Sequence, residues 1–193
     1  MIVRRQIIST SMRKDIVAQK NLVWFLPMIE FDYTLDYDKI DFSKQPELYR
    51  IGRGEQGVLL VEPYKSDICK HWRFRTPEIA YKSANTITAM FNGYLDVGDF
   101  VGADMSRKFL MMGWTRARRY ANHRSGKKYD NQGRIKPQEL DHMTCDKAES
   151  ARIFKRAYDA ARTDKRYRTM VREWRQLEEQ RAVGGTGISQ YDL

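Results

Sequence analysis

The stretch Asp104-Met105-Ser106-Arg107-Lys108-Phe109-Leu110-Met111-Met112-Gly113-Trp114-Thr115-Arg116-Ala117-Arg118-Arg119-Tyr120-Ala121-Asn122 decides how the chain is read. It has no proline, and its apolar residues recur at helical spacing. At about 100° per residue, Met105, Phe109, Met112, Gly113, Ala117 and Tyr120 fall on one side, which predicts a helix with that side in a core. Arg107, Met111, Trp114 and Arg118 then form a second stripe, with Lys108, Thr115 and Arg119 beside it. The expectation is an exposed row of cations holding a tryptophan, suited to phosphate contacts and to stacking on a base.

The sequence continues as the basic loop Asn122-His123-Arg124-Ser125-Gly126-Lys127-Lys128-Tyr129. Residues 105–136 carry ten Lys or Arg against Asp130 alone, whereas residues 31–47 carry five acids against two lysines. The whole chain of 193 residues has a formal net charge of +10. Such an excess speeds encounter with phosphate backbones and other polyanions. Residues 151–181 add ten cations but interleave five acids, which reads as a surface laced with ion pairs.

Upstream, Thr76, Pro77 and Glu78 give a helix start, followed by Ile79, Ile87, Met90, Phe91 and Tyr94. Gly98 and Gly102 read as a break, so the basic helix is expected to begin near Asp104. Asp146 and Glu149 resemble a capping box opening a third helix, and Thr163 or Asp164 caps a fourth. Short runs at 7–9, 22–26, 31–35, Val58–Val61 and His71–Phe74 read as strands. The fold class expected is α+β: one helix-rich domain over 31–181 with a small N-terminal sheet and about four helices. Residues 1–30 read as an extension and 182–193 as a flexible tail.

Three glycines punctuate Tyr49-Arg50-Ile51-Gly52-Arg53-Gly54-Glu55-Gln56-Gly57. Exposed amides there could make an anion nest, with Arg50, Gly52, Arg53, Gly54 and Arg73 as candidates for holding phosphate. It is neither a Walker A loop nor a dinucleotide fingerprint, because it precedes a strand-like run rather than a helix. Glu55 and His71 are the candidate proton carriers of an enzyme acting on a nucleotide or nucleic acid. A tight structural turn explains the same residues. In His71-Trp72-Arg73-Phe74-Arg75, alternation puts the aromatic residues on one face and the basic residues on the other.

Cys69, His71, His142 and Cys145 are the only soft metal ligands worth weighing, and the Cys-x-His spacing is tight for zinc. No metal or cofactor is expected. Two cysteines make no disulfide framework, and no apolar run approaches a membrane span, so a cytoplasmic protein is expected.

Three strings carry a family resemblance: Glu47 to Leu59, His71 to Ala80 and Thr115 to His123. Over roughly residues 31–174 the chain resembles the family catalogued as domain of unknown function forty-three eighty-five, which occurs in bacteria, their phages and some eukaryotes. The resemblance implies a small intracellular domain whose marks are the glycine turn, the His-Trp-Arg-Phe segment and the basic helix. It brings no catalytic residue with it. A phage setting fits a compact basic accessory protein. From the residues, the leading expectation is a nucleic-acid-binding accessory protein using Arg107, Lys108, Trp114, Arg118, Arg119, Arg124, Lys127 and Lys128, with Tyr129 as a second stacking residue. The enzyme built on the glycine turn is the alternative.

Overall fold

A computed structural model describes residues 31–184. The segments 1–30 and 185–193 lie outside the described residues, and with them the strands expected at 7–9 and 22–26, the N-terminal extension and most of the expected tail.

The described chain is helical. After an irregular segment with a short 3-10 turn at Pro46–Leu48 come α1 (Tyr64–Cys69), α2 (Pro77–Asp96), α3 (Phe100–Asn122), α4 (Asp146–Thr163) and α5 (Lys165–Gly184). No strand forms among the described residues. The one ladder contact is an isolated antiparallel bridge between Tyr129 and Ile135. The expected α+β class is therefore corrected to an α-helical one.

The reason is local. Val58–Val61 has the β-branched composition of a strand, but its amides close successive turns: Val58 N–H donates to Glu55 O at 3.1 Å and Leu60 N–H to Gly57 O at 3.0 Å. Val58 and Val61 are buried while Leu59 is exposed, a spacing of three rather than two. In His71–Phe74 the expected alternation holds without a partner strand. Trp72 and Phe74 pack side by side at 5.0 Å, and the Trp72 indole donates to Phe109 O at 3.1 Å. His71, Arg73 and Arg75 are exposed.

Helix boundaries follow their caps. The Thr76 hydroxyl accepts from the Ile79 amide and Pro77 occupies the first turn, as the sequence indicates. The Asp164 carboxylate accepts from the amides of Arg166 (2.8 Å) and Tyr167 (3.1 Å), so it caps α5. The basic helix begins a turn earlier than expected, at Phe100, with Asp99 accepting from the Gly102 amide at 2.9 Å. Gly102 is not a break. A Cβ there would sit 2.4 Å from the Tyr94 ring, so the missing side chain lets α2 and α3 close on each other.

α3 is the axis of the fold. It packs most extensively on α4, then on α2, with α1 and α5 completing its cover. Gly113 brings α4 in: a Cβ would lie 2.4 Å from Phe154 Cδ1. The irregular segment closes the remaining side through an aromatic chain. Phe31 stacks on Tyr37 (5.7 Å), Tyr37 on Phe42 (5.8 Å), and Tyr49 meets Phe42 and Trp174 edge to face at 6.3 Å each. Trp174 of α5 in turn stacks on Phe100 at 4.8 Å. This contact covers one end of α3 with aromatic area.

Candidate functional site

The two halves of α3 hold their cations in opposite ways. From Phe100 to Leu110 every residue is buried, so this half has no exposed stripe. Asp104 and Lys108 have no accessible surface and Arg107 is 8% exposed. The Asp104 carboxylate accepts from Arg107 Nε and Nη2 at 2.8 Å each and from the Tyr167 hydroxyl at 2.5 Å. The Tyr49 hydroxyl donates to its other oxygen, and Lys108 Nζ lies 3.6 Å away. Lys108 also donates to Gln56 O at 2.7 Å and lies over the Tyr49 ring at 5.3 Å.

Burial alone would raise the Asp104 carboxyl, but Arg107, Lys108 and the hydroxyls of Tyr167 and Tyr49 outweigh it and hold it well below the usual carboxylate range. Burial lowers the Lys108 ammonium, and Asp104 pulls it back only in part. The expectation that Arg107 and Lys108 contact nucleic acid is corrected here. Both are interior residues held by Asp104. The sequence signal was present in the acid three and four positions before them, on the same helix face.

The glycine turn belongs to this interior. Its Gln56 carbonyl accepts from Lys108, and Gly57, at φ +78°, admits the Phe31 ring, which a Cβ would meet at 2.3 Å. The Ile51 amide donates to the buried Glu178 carboxylate at 2.9 Å. Burial raises the Glu178 carboxyl, offset in part by that amide and by Arg50, Arg175 and Arg181. The Arg53 amide is taken by the Gln56 side chain at 2.7 Å. Gly52 is buried, a Cβ there meeting Gln56 and Phe31, and Gly54 takes φ +61°. Arg50 donates to Glu47 O, and Arg73 to Cys69 O and Trp72 O. Glu55 accepts from the Thr115 hydroxyl, whereas His71 is exposed and its carbonyl accepts from Ser83 at 2.7 Å. No hydrogen bond joins Glu55 to His71. Cys69 and Cys145 are half-buried free thiols, and His142 Nδ1 lies 2.8 Å from Glu139 O. Among the described residues no three side chains of ligand type converge.

The exposed cations gather at the other end of α3. Beyond His123 the chain doubles back: Lys136 N–H donates to Lys128 O and Asp130 N–H to Arg134 O, both at 2.9 Å. This hairpin-like loop leaves two adjoining depressions against α3. One, of about 390 Å³, is lined by Trp114, Thr115, Arg118, Arg119, Asn122, His123, Lys128, Ile135 and Gln138. The other, of about 430 Å³, is lined by Arg119, Gly126, Lys127, Lys128 and Tyr129. They share Arg119 and Lys128, and among the described residues no carboxylate lines either.

The structure thus brings Trp114, Arg118, Arg119, Lys127, Lys128 and Tyr129 together. Among the described residues Arg119, Lys127 and Lys128 enter no ion pair, so their charge faces the cleft uncompensated. Arg118 is anchored, donating to His142 O at 2.9 Å and to Met143 Sδ at 3.0 Å. Arg124 is turned to Glu139 and Asp141, at 3.5 and 3.6 Å, outside both depressions. Trp114 is not a free plate: its ring stacks on Tyr158 at 5.8 Å and Lys155 Nζ lies 4.9 Å from its centroid. It serves the cleft as a fixed wall. Sequence reasoning missed Asn122, His123, Ile135 and Gln138 as lining residues. The isolated apolar Ile135 in a polar loop was the available signal.

The sequence pattern of the family described as Domain of unknown function (DUF4385) matches residues 32–177. No curated protein and no solved structure matches the chain.

Proposed function

The chain belongs to the DUF4385 family, whose description assigns no activity, and from the geometry of the cleft we propose that it is a nucleic-acid-binding accessory protein. The observation that carries this is a pair of adjoining depressions lined by Arg119, Lys127 and Lys128, with no acid in their lining among the described residues. On α4 the cations are paired, Arg152 with Glu149 and Arg162 with Asp159, whereas around the cleft, among the described residues, they are not. Three cations left unpaired around one concavity cost self-repulsion, which a polyanion removes. The interaction is with the phosphate backbone, so the reading is indifferent to base sequence. Its compartment is the cytoplasm.

The test is fluorescence anisotropy with labelled DNA and RNA across a salt series, for the full chain and for Arg119→Ala/Lys127→Ala/Lys128→Ala. The intact protein should bind with a steep salt dependence, and the triple variant should lose about one unit of slope per cation removed. Equal affinity and equal slope in the variant would overturn the proposal.

A further inference from the structure

A phosphate track needs cations only, yet the depression beside Trp114 offers more. Its lining includes Trp114 and Ile135 together with three hydrogen-bonding side chains, Asn122, His123 and Gln138. His123 is only 6% exposed, yet among the described residues its Nδ1 has no hydrogen-bond partner, and neither has Asn122 Oδ1. Buried polar atoms are normally paired, because leaving one unmade is unfavourable. Both belong to planar end groups that turn about one bond, so the polar edge of a ligand can satisfy them.

We infer that this depression receives one unpaired nucleobase of a single strand, while Arg119 and Lys128, which also line the neighbouring depression, take the flanking phosphates. The inference rests on the polyanion reading of the same cleft. The volume of about 390 Å³ lies in the range of small-ligand sites. In this arrangement the base lies against the Trp114 wall and Ile135, with its hydrogen-bonding edge toward Asn122, His123 and Gln138. A duplex keeps its bases stacked inside and cannot fill the depression without extruding one. The protein therefore prefers single strands, with stacking and edge contacts adding to a backbone term common to both forms.

The test uses the full chain and three labelled probes at one salt concentration: a 12-nucleotide single strand, an abasic strand of the same length, and a 12-base-pair duplex. The base-bearing strand should bind at least tenfold more tightly than the other two. Ile135→Ala with Gln138→Ala, two changes on the loop with Ile135 65% exposed, should bring the affinity for the base-bearing strand down to that for the abasic strand. Equal affinity for the abasic and base-bearing strands overturns the base site and leaves the phosphate track standing. A preference that survives the double change overturns this location for the base. Failure of all three probes to bind overturns both readings.

Discussion

The first and last halves of α3 are both basic, and the molecule uses that charge in opposite ways. In Phe100–Leu110 the cations Arg107 and Lys108 are interior, and Asp104 of the same helix face pairs with both. In Met111–Asn122 no acid occurs at all, and Arg119 faces a cleft whose loop adds Lys127 and Lys128. One helix therefore holds a charged structural core and a charged open surface, four turns apart at most. The difference teaches that cation density in a sequence locates a basic element, whereas the position of the nearest acid on the same helix face says which of its cations are available.

Removing that acid should give the largest effect. Asp104→Asn keeps the shape but leaves Arg107 and Lys108 buried without a counter-charge, and should cost about 3–5 kcal/mol in urea unfolding. Replacing Asp104, Arg107 and Lys108 together by Leu, Met and Met should cost less than Asp104→Asn alone, because no orphan charge remains. A single substitution milder than the triple one would break the comparison at its first term.

The same variant fixes a pH dependence. The folded Asp104 carboxyl is held well below its unfolded value, so the folded state binds fewer protons than the unfolded one in acid. Its contribution is full above the unfolded value, about 3.9, and is lost as pH falls from there toward the folded value. The gap in stability between the native protein and Asp104→Asn should be constant from neutral pH down to roughly 5 and shrink below about 4. A gap that widens in acid would mean Asp104 is not the ionised partner of the pair.

Gly113 marks where the interior half gives way to the open one. Gly113→Ala drives a methyl against Phe154 and should cost about 1–3 kcal/mol by pushing α4 from α3. Thermal unfolding would measure it, and a loss under 0.5 kcal/mol would show that the helices do not need so close an approach.

What was legible in the sequence divides along the same line. α2 and α5 could be read because Thr76 and Asp164 are local signals whose cap bonds form within the next turn. The basic loop was legible because Arg124, Lys127 and Lys128 follow one another with Asp130 as the one acid of residues 105–136. The sheet was misread because Val58 and Val61 have strand composition, while the constraint that coils them, Phe31 seated on Gly57 and Lys108 on Gln56, comes from residues 26 and 52 positions away. The buried network was hidden for the same reason: Tyr49 and Tyr167 reach Asp104 from 55 and 63 positions away. Helical periodicity sorts apolar from polar residues, so it reads any polar stripe as exposed. It fails on a central helix covered on every side.

The open half should then give the smallest effect on stability. Arg119, Lys127 and Lys128 are exposed and enter no ion pair among the described residues, so converting all three to Ala leaves no buried group without a partner. Stability should change by no more than about 0.5 kcal/mol per site, and relief of mutual repulsion favours the variant slightly. The same change should remove about three units from the salt slope of nucleic-acid binding. Two halves of one helix would then separate cleanly, with Asp104→Asn moving stability and the cleft variant moving binding. A cleft variant that unfolds as readily as Asp104→Asn would mean these cations hold the loop against α3, and the distinction between structural and available charge would fail at this end of the helix.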